Sequence, residues 1–553
     1  MRLPQSNIQT MPVGCRCPRT KRQTLRSTLP TGLLIALALS GCASLPPGSG
    51  FYKHPSIAYA HPETTRIGQA LGPAGQSHPD ASAYRIISLG ADGFATRVEL
   101  VAAAEHSLDL QYYIFHADIT GRLLTNALLS AADRGVHIRL LLDDGETVAG
   151  DEKIVALAAH PQIEIRIFNP FAYRGHSMVM RGLEFMVSAA RLDYRMHNKL
   201  LIADGAAALI GGRNIGDAYF QIESDAQYAD DDVFVSGPIV QPLAATFDEY
   251  WNSARAIPVE ALAGGKSTRS TLDSLRLGLT QQLRQLSDDG VGYVQRAASG
   301  EPLAGMLTGD LPLVWAGAQV VCDSPEKQRV ASGSMVGRLM YEPVAAAASN
   351  AQNELLMITP YFVPTPAEMR LLHDLRLRHV QVRILTNSLE STNALPAHAA
   401  YARHRLQLLR DGVELYEVRA LLGRTSKGSG QSAAVSRFGN YGLHAKLFVF
   451  DRRQLFIGSM NFDQRSVRFN TEIGLIIDSP ELAQETTARF DAMTQLASAY
   501  TVMLVGDESG HGRLQWRTLE NGLPVDHSRE PSSSFHRRVA VALLGLLPID
   551  KEL

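Results

Sequence analysis

The reactive side chains of this sequence sit in two short stretches. His197-Asn198-Lys199-Leu200-Leu201-Ile202-Ala203-Asp204 and His444-Ala445-Lys446-Leu447-Phe448-Val449-Phe450-Asp451 both read H-x-K-x4-D, and each reaches an Asn, Asn214 or Asn461, seventeen residues after its His. Residues two apart on a strand point to one face, so His197 projects with Lys199 and His444 with Lys446. The apolar residues Leu201, Ile202, Leu447 and Val449 suit a buried sheet. Both stretches continue through a small-residue turn, Gly211-Gly212-Arg213-Asn214 and Gly458-Ser459-Met460-Asn461. There the backbone can approach a ligand, and Asn offers an amide donor. One His, one Lys and one Asn from each copy make a symmetric anion site, for which a phosphodiester is the natural occupant, with Gly212 and Ser459 expected on the phosphate face. A lone His-x-Lys is ordinarily a polar strand edge. Its recurrence at domain spacing, with matching downstream residues, is what makes a site.

Two histidines that work as opposite partners need environments that separate their pKa values, and an acidic neighbour on each ring is the usual means. The strands Asp230-Asp231-Asp232-Val233-Phe234-Val235-Ser236-Gly237-Pro238 and Glu472-Ile473-Gly474-Leu475-Ile476-Ile477-Asp478-Ser479-Pro480 align without a gap and nominate Asp230 and Glu472. Asp232 is the alternative in the first copy. Consecutive strand residues face alternate sides, so the three adjacent Asp do not suggest a metal site, and neither metal nor cofactor is expected. Asp204 and Asp451 stand five residues beyond each Lys, where turn or salt-bridge duty is expected rather than catalysis. Gly211, Gly458 and Ser466 are further site-lining candidates.

The elements that carry these residues also occur twice. Helical periodicity over Phe94–Ala104, a strand over Ser107–Phe115, a helix over Gly121–Arg134 and a buried strand over Ile138–Leu142 return as Val344–Ala351, Glu354–Thr359, Ala367–Arg378 and Val380–Leu385. This predicts an α/β fold of two similar lobes, each a mixed β-sheet flanked by helices, related by a pseudo-twofold with one shared active site. The expected divisions are a leader over 1–41, a tether over 42–83, a first lobe over 84–260, a connector over 261–340, a second lobe over 341–500 and a C-terminal extension over 501–553. The Gly/Ser-rich stretch 422–440, directly upstream of the second motif, reads either as a flap over the site or as a tolerated insertion.

Of the 553 residues, 45% are hydrophobic and 20% charged, and the formal net charge is −2, so there is no basic field of the kind a nucleic-acid binder carries. Arg16, Arg19, Lys21, Arg22 and Arg26 precede a short apolar run, Leu29 to Leu39, and then Leu39-Ser40-Gly41-Cys42. This resembles a bacterial lipoprotein signal with Cys42 as the lipidated residue. The run is too short for a span, which takes about 20 apolar residues. At the other end, Phe535-His536-Arg537-Arg538 followed by Val539 to Leu547 suits either a membrane interface or a packed terminal helix.

On these motifs the chain resembles the phospholipase D superfamily from Tyr84 onward and, within it, bacterial cardiolipin synthases of the C type. Leu110-Gln111-Tyr112-Tyr113-Ile114, Gly211-Gly212-Arg213-Asn214-Ile215-Gly216-Asp217-Ala218-Tyr219-Phe220, Tyr361-Phe362-Val363-Pro364-Thr365 and Leu385-Thr386-Asn387-Ser388-Leu389 carry that likeness. The lipoprotein signal departs from the group, not every member of which is built as a lipoprotein. The resemblance implies phosphatidyl transfer through a covalent phosphohistidine, with His197 as nucleophile and His444 as general acid, or the reverse. Lys199, Lys446, Asn214 and Asn461 would hold the phosphate oxygens. Implied partners are phospholipid substrates (phosphatidylglycerol, with phosphatidylethanolamine as a second candidate) and a membrane, with no nucleic acid and with room for an unidentified accessory protein. Hydrolysis by the same histidines, or a non-catalytic binding lipoprotein, are the competing expectations. The location implied is a periplasm-facing lipoprotein on either the inner or the outer membrane.

Overall fold

The computed structural model describes residues 47–145, 151–175, 177–222, 227–263, 269–285, 302–420, 441–506, 512–531 and 535–546. The leader, Cys42 and the stretch 422–440 lie outside the described residues. Strands of the first lobe are β1 (Ser82–Ile87), β2 (Ser107–Tyr112), β3 (His137–Asp143), β4 (Ile163–Phe168), β5 (Leu200–Ala203), β6 (Ala207–Gly211), β7 (Gln227–Ala229), β8 (Asp232–Ser236) and β9 (Ala256–Pro258). The chain continues through β10 (Val314–Cys322), β11 (Glu354–Ile358), β12 (Phe362–Val363), β13 (Gln381–Asn387), β14 (Glu414–Val418), β15 (Tyr441–Leu443), β16 (Leu447–Phe450), β17 (Gln454–Gly458), β18 (Phe462–Asp463), β19 (Ile473–Asp478) and β20 (Ala499–Val505).

Hydrogen bonding orders the first sheet β1-β8-β6-β5-β2-β3-β4-β9 and the second β10-β19-β17-β16-β11-β13-β14-β20. The orders correspond strand for strand, and in both only the two junctions around the third strand in chain order are parallel. The register repeats too. Leu108 faces Ala203 as Leu355 faces Phe450, and Gly211 faces Asp232 as Gly458 faces Gly474. The equivalent strands β1 and β10 pair with each other antiparallel, Ser82 opposite Ala316 and Tyr84 opposite Val314, as a local twofold requires, and join both lobes into one sheet.

Helices α1 (Gly90–Ala103), α2 (Ile119–Asp133), α3 (Met178–Leu192) and α4 (Val240–Asn252) belong to the first lobe; α5 (Tyr341–Ser349), α6 (Pro366–Leu377) and α7 (Pro480–Met493) belong to the second. The starts of α2 and α6 are fixed locally. Asp118 accepts from the Gly121 N–H, and Thr365 forms a reciprocal cap with Glu368. Central strands are buried on both faces, as the parallel junctions demand. One hydrophobic core draws on both lobes, joining Met196, Leu200 and Val233 to Ala445, Leu447 and Ile473 beneath the two motifs.

Three expected divisions shift. β1 begins at Ser82, and part of the expected tether is bound to the first lobe: Ile67 and Leu71 are buried in a helix, Arg66–Gln76, and Ala58 N–H donates to Asp248 at 2.9 Å. The expected connector contains β10, which the second lobe uses exactly as the first uses β1. Past residue 500, β20 pairs with Arg513–Glu520, and that strand with Leu523–His527, extending the second sheet. A last helix, α8 (Phe535–Leu544), lies against the second lobe, where Arg537 donates to Leu389 O at 3.1 Å. No helix among the described residues is long and apolar enough to cross a membrane.

Candidate active site

Each motif strand is held by the opposite lobe. His197 N–H donates to Thr471 O at 2.9 Å, and His444 N–H to Ala229 O at 2.7 Å, beside the parallel pairing of β7 with β15. Those acceptors immediately precede the two carboxylates, so the carboxylates are exchanged between lobes. Glu472 takes the His197 ring, Nδ1 to Oε2 at 2.9 Å, and Asp230 takes the His444 ring, Nδ1 to Oδ2 at 2.6 Å. The sequence nominates both carboxylates, and the structure assigns each to the histidine of the other copy. Asp232 is excluded as the alternative because Arg97 and Arg213 hold its Oδ2 at 2.9 and 3.1 Å. The middle residue, Asp231, bonds Ser88 at 2.7 Å and pairs with Arg489. Three consecutive aspartates thus go to three separate partners, and no cluster of potential metal ligands occurs among the described residues.

The exchanged pairs differ in their support. Glu472 is fully buried and accepts from Ser459 Oγ at 2.5 Å and Ser466 Oγ at 2.9 Å. Ser459 in turn accepts the Ile473 N–H at 3.0 Å, so its hydroxyl serves the carboxylate and not a phosphate. Its counterpart is Gly212, where a Cβ would stand 2.1 Å from Asp230 Oδ1; the missing side chain is the space Asp230 occupies. Neither expected phosphate-face residue is directed at a ligand, because both are used to seat an acid.

Lys199 Nζ donates to His197 O at 2.6 Å and lies 5.3 Å from the centroid of the Tyr113 ring. Lys446 Nζ donates to His444 O and stands 3.2 Å from His444 Nε2. Asn214 Oδ1 accepts the Ile114 N–H at 3.2 Å, leaving its amino group to donate, whereas Asn461 Oδ1 is buried without a partner among the described residues. Asp204 and Asp451 are away from the rings. Each opens the turn after its motif strand with φ of 54°, a left-handed conformation that Asp tolerates. Asp204 accepts the N–H groups of Glu105, His106 and Ser107, all at 2.8 Å, and Asp451 those of Gln352, Asn353 and Glu354. Each thereby pins the start of a central strand.

Burial pushes His197 down to about 4, with Glu472 opposing and Lys199 assisting. Burial and then Lys446 push His444 down to about 3, against Asp230. Both rings are therefore neutral at neutral pH, with Nδ1 carrying the proton toward a carboxylate and Nε2 left as a lone pair. Burial raises Asp230 and Glu472, yet His444 with Lys446 and His197 with Lys199 outweigh it and hold both carboxyls below their usual range. Burial also lowers both lysines, Lys446 to about 8. His197 senses Lys446 and His444 senses Lys199, so the halves share one electrostatic environment. An aromatic wall that no sequence motif nominates also lines the rings. Tyr113 packs on His197 with centroids 5.1 Å apart, and Tyr219 and Tyr228 pack on His444 at 5.1 and 5.5 Å. Tyr228 had a signal, since it stands two residues before Asp230 and so on the same strand face.

Fold and site define a duplicated α/β chain with a single composite centre at the seam of its halves. A family model described as "Cardiolipin synthase, PLD-like domain" matches residues 98–251 and 344–494, the two lobes. Cardiolipin synthase C of Escherichia coli (strain K12) is 35% identical over 88% of this chain and 99% of its own. The major cardiolipin synthase ClsA of Bacillus subtilis (strain 168) is 24% identical over 73% of this chain and 67% of its own. The crystal structure of phosphatidylserine synthase from Haemophilus influenzae Rd KW20 aligns over 78% of this chain and 92% of its own, at 13% identity and a TM-score of 0.49. This chain belongs to the cardiolipin synthase family of phospholipase D-like proteins.

Proposed function

We propose that the chain is a phosphatidyltransferase that makes cardiolipin from phosphatidylglycerol and a second phospholipid, phosphatidylglycerol or phosphatidylethanolamine. The observation that carries this reading is the pair of complete His–Lys–carboxylate sets, crossed between lobes and joined in one buried site. Binding of a phosphodiester monoanion raises both depressed imidazoles, since it adds a negative charge beside them. His444 takes up a proton as the lipid enters, while His197 Nε2 attacks phosphorus. The P–N bond forms, the P–O bond to the departing alcohol breaks, and the His444 proton goes to that oxygen. In the second half His444 removes the proton of a phosphatidylglycerol hydroxyl, whose oxygen attacks phosphorus as the P–N bond breaks. Lys199, Lys446, Asn214 and Asn461 stabilise the charge on the non-bridging oxygens. Glu472 and Asp230 orient the rings and offset the imidazolium charge.

The same reading makes Cys42 the lipidated residue of a periplasm-facing lipoprotein, and α8, with exposed Phe535, Val539 and Leu543 along one side, an interfacial helix. The test is a lipid assay on membranes of cells lacking their own cardiolipin synthases, expressing this chain, His197→Ala or His444→Ala. Cardiolipin is expected with the native chain and with neither variant. Accumulation of phosphatidic acid instead would make the enzyme a hydrolase; unchanged lipids with well-expressed native protein would refute the lipid reading.

A further inference from the structure

Helix α3 is built inside out. At about 100° per residue, Met178, Val179, Leu183, Phe185, Met186 and Val187, with Met180 at the edge and Gly182 between them, cover an arc of about 220° that contains no charge. That arc faces outward: Met178, Val179, Met186 and Val187 are 72, 72, 71 and 75% exposed. The remaining arc holds Arg181 and Glu184, and these face the protein. Glu184 accepts the N–H groups of Ala172 and Tyr173 at 2.7 and 2.8 Å, while Arg181 donates to Asp144 O at 2.6 Å and stacks on Phe171 at 4.3 Å. A surface helix ordinarily buries its apolar stripe and wets its charged face. Here the charges tie the helix down and the apolar residues are left outside, beyond what isolated surface hydrophobics explain.

We infer that α3 lies in the surface of a phospholipid bilayer and seats the active site on it. This deepens the function proposed above and rests on its phospholipid substrate. An arc wider than a half-circle does not fit against one protein face, which covers a stripe, but is wetted by a medium that closes around the helix. The helix has 15 residues, is broken by non-helical φ/ψ at Ser188 just past its outward residues, and at about 1.5 Å per residue cannot span a bilayer, so it lies in the plane. Three of its outward residues are methionines, flexible enough to fit among fluid chains. The helix is also tied closely to the site, because Arg191 and Leu192 at its end are buried and His197 follows five residues later, at most about 18 Å of extended chain. A second exposed apolar pair, Met335 and Val336, stands beside it. Gln328 donates to Ala190 O at 3.2 Å at the end of α3, and Met335 N–H bonds back to Arg329 O at 3.1 Å, with the Arg329 side chain exposed.

The test uses the full chain with Cys42→Ser, which removes the acyl anchor proposed above, and its Val179→Asp and Met186→Asp variants, with Val179→Leu as the conservative control. Binding is read by flotation with vesicles of phosphatidylglycerol and phosphatidylethanolamine, and turnover on those vesicles and on a short-chain phosphatidylglycerol kept below its micelle concentration. Each Asp variant is expected to lose about tenfold or more in vesicle binding and vesicle turnover, since a buried apolar side chain is exchanged for a charge. Turnover on the monomeric lipid and the melting temperature stay as in the native chain, and Val179→Leu behaves as native. Unchanged flotation, or equal loss on both lipid forms, would overturn the inference. So would a dimer that the Asp variants convert to monomers in sedimentation, which would make α3 a contact between copies. Should the native chain act on neither lipid form, the proposed function fails, while the flotation difference still decides the docking surface.

Discussion

Replacing Glu472 by Gln tests the exchanged carboxylates most directly. The side chain keeps its size and an oxygen for His197 Nδ1 but loses its charge, so no cavity forms. Charge on the His197 ring, which appears when the P–N bond is made, is then stabilised only by a neutral hydrogen bond. Two unit charges about 4 Å apart interact by roughly 4 kcal/mol at an effective dielectric of 20, and a hydrogen bond to a charged group is worth about 1.5–3 kcal/mol. Taking about 1.5–3 kcal/mol as lost, formation of the covalent intermediate slows about 10- to 150-fold. The matching effect on titration is a His197 pKa about one to two units lower, because Glu472 is the neighbour that raises it. Rapid-quench trapping of the intermediate gives the rate. Histidine NMR with inorganic phosphate bound gives the titrations, assigned with His197→Gln and His444→Gln. His444 is expected to move less than His197 with Glu472→Gln, and the order is expected to reverse with Asp230→Asn. A Glu472→Gln variant that shifts His444 more than His197, or that traps the intermediate within twofold of the native rate, would falsify the crossed pairing as a catalytic arrangement.

Lys199→Met and Lys446→Met should each lower kcat by about a hundredfold or more in steady-state transfer, as removal of a fixed donor from a buried anion site does. Asp204→Ala should cost stability rather than chemistry, about 3 kcal/mol in urea denaturation, because three N–H groups lose a buried acceptor; the more exposed Asp451 should cost less, and turnover per folded molecule should hold in both. The pH profiles should separate. The depressed imidazole pKa of the free enzyme means the imidazolium is lost already at low pH in kcat/KM, whereas the bound anion raises it, so the alkaline limb of kcat falls at higher pH than that of kcat/KM. Coincident limbs would contradict an anion-driven proton uptake.

The sequence discloses what is repeated. The H-x-K-x4-D stretches, the Asn seventeen residues on and the gapless pair of acidic strands are visible because local spacing determines which side chains share a strand face. Whether Asp230 faces His197 or His444 is decided by how two lobes dock, and no local pattern encodes it. The two seats for the acids differ for a related reason: Gly212 and Ser459 are equivalent positions, but only packing reveals that the first yields room to Asp230 and the second bonds Glu472. Val314–Cys322 escaped notice between polar flanks, and its role as a first strand follows from pairing with Ser82–Tyr84 at long range. The Pro- and Gly-rich start reads as a tether by composition, yet Ile67 and Leu71 suffice to hold a helix there even with Pro73 inside it.

Because each histidine borrows its acid from the other lobe, the exchange works as an interlock. A half-made or partly unfolded chain presents a His–Lys pair with no carboxylate behind its ring, and so lacks the charge that orients and stabilises the imidazolium. The complete catalytic set is assembled only by docking of the two lobes, so reactivity follows completion of the fold.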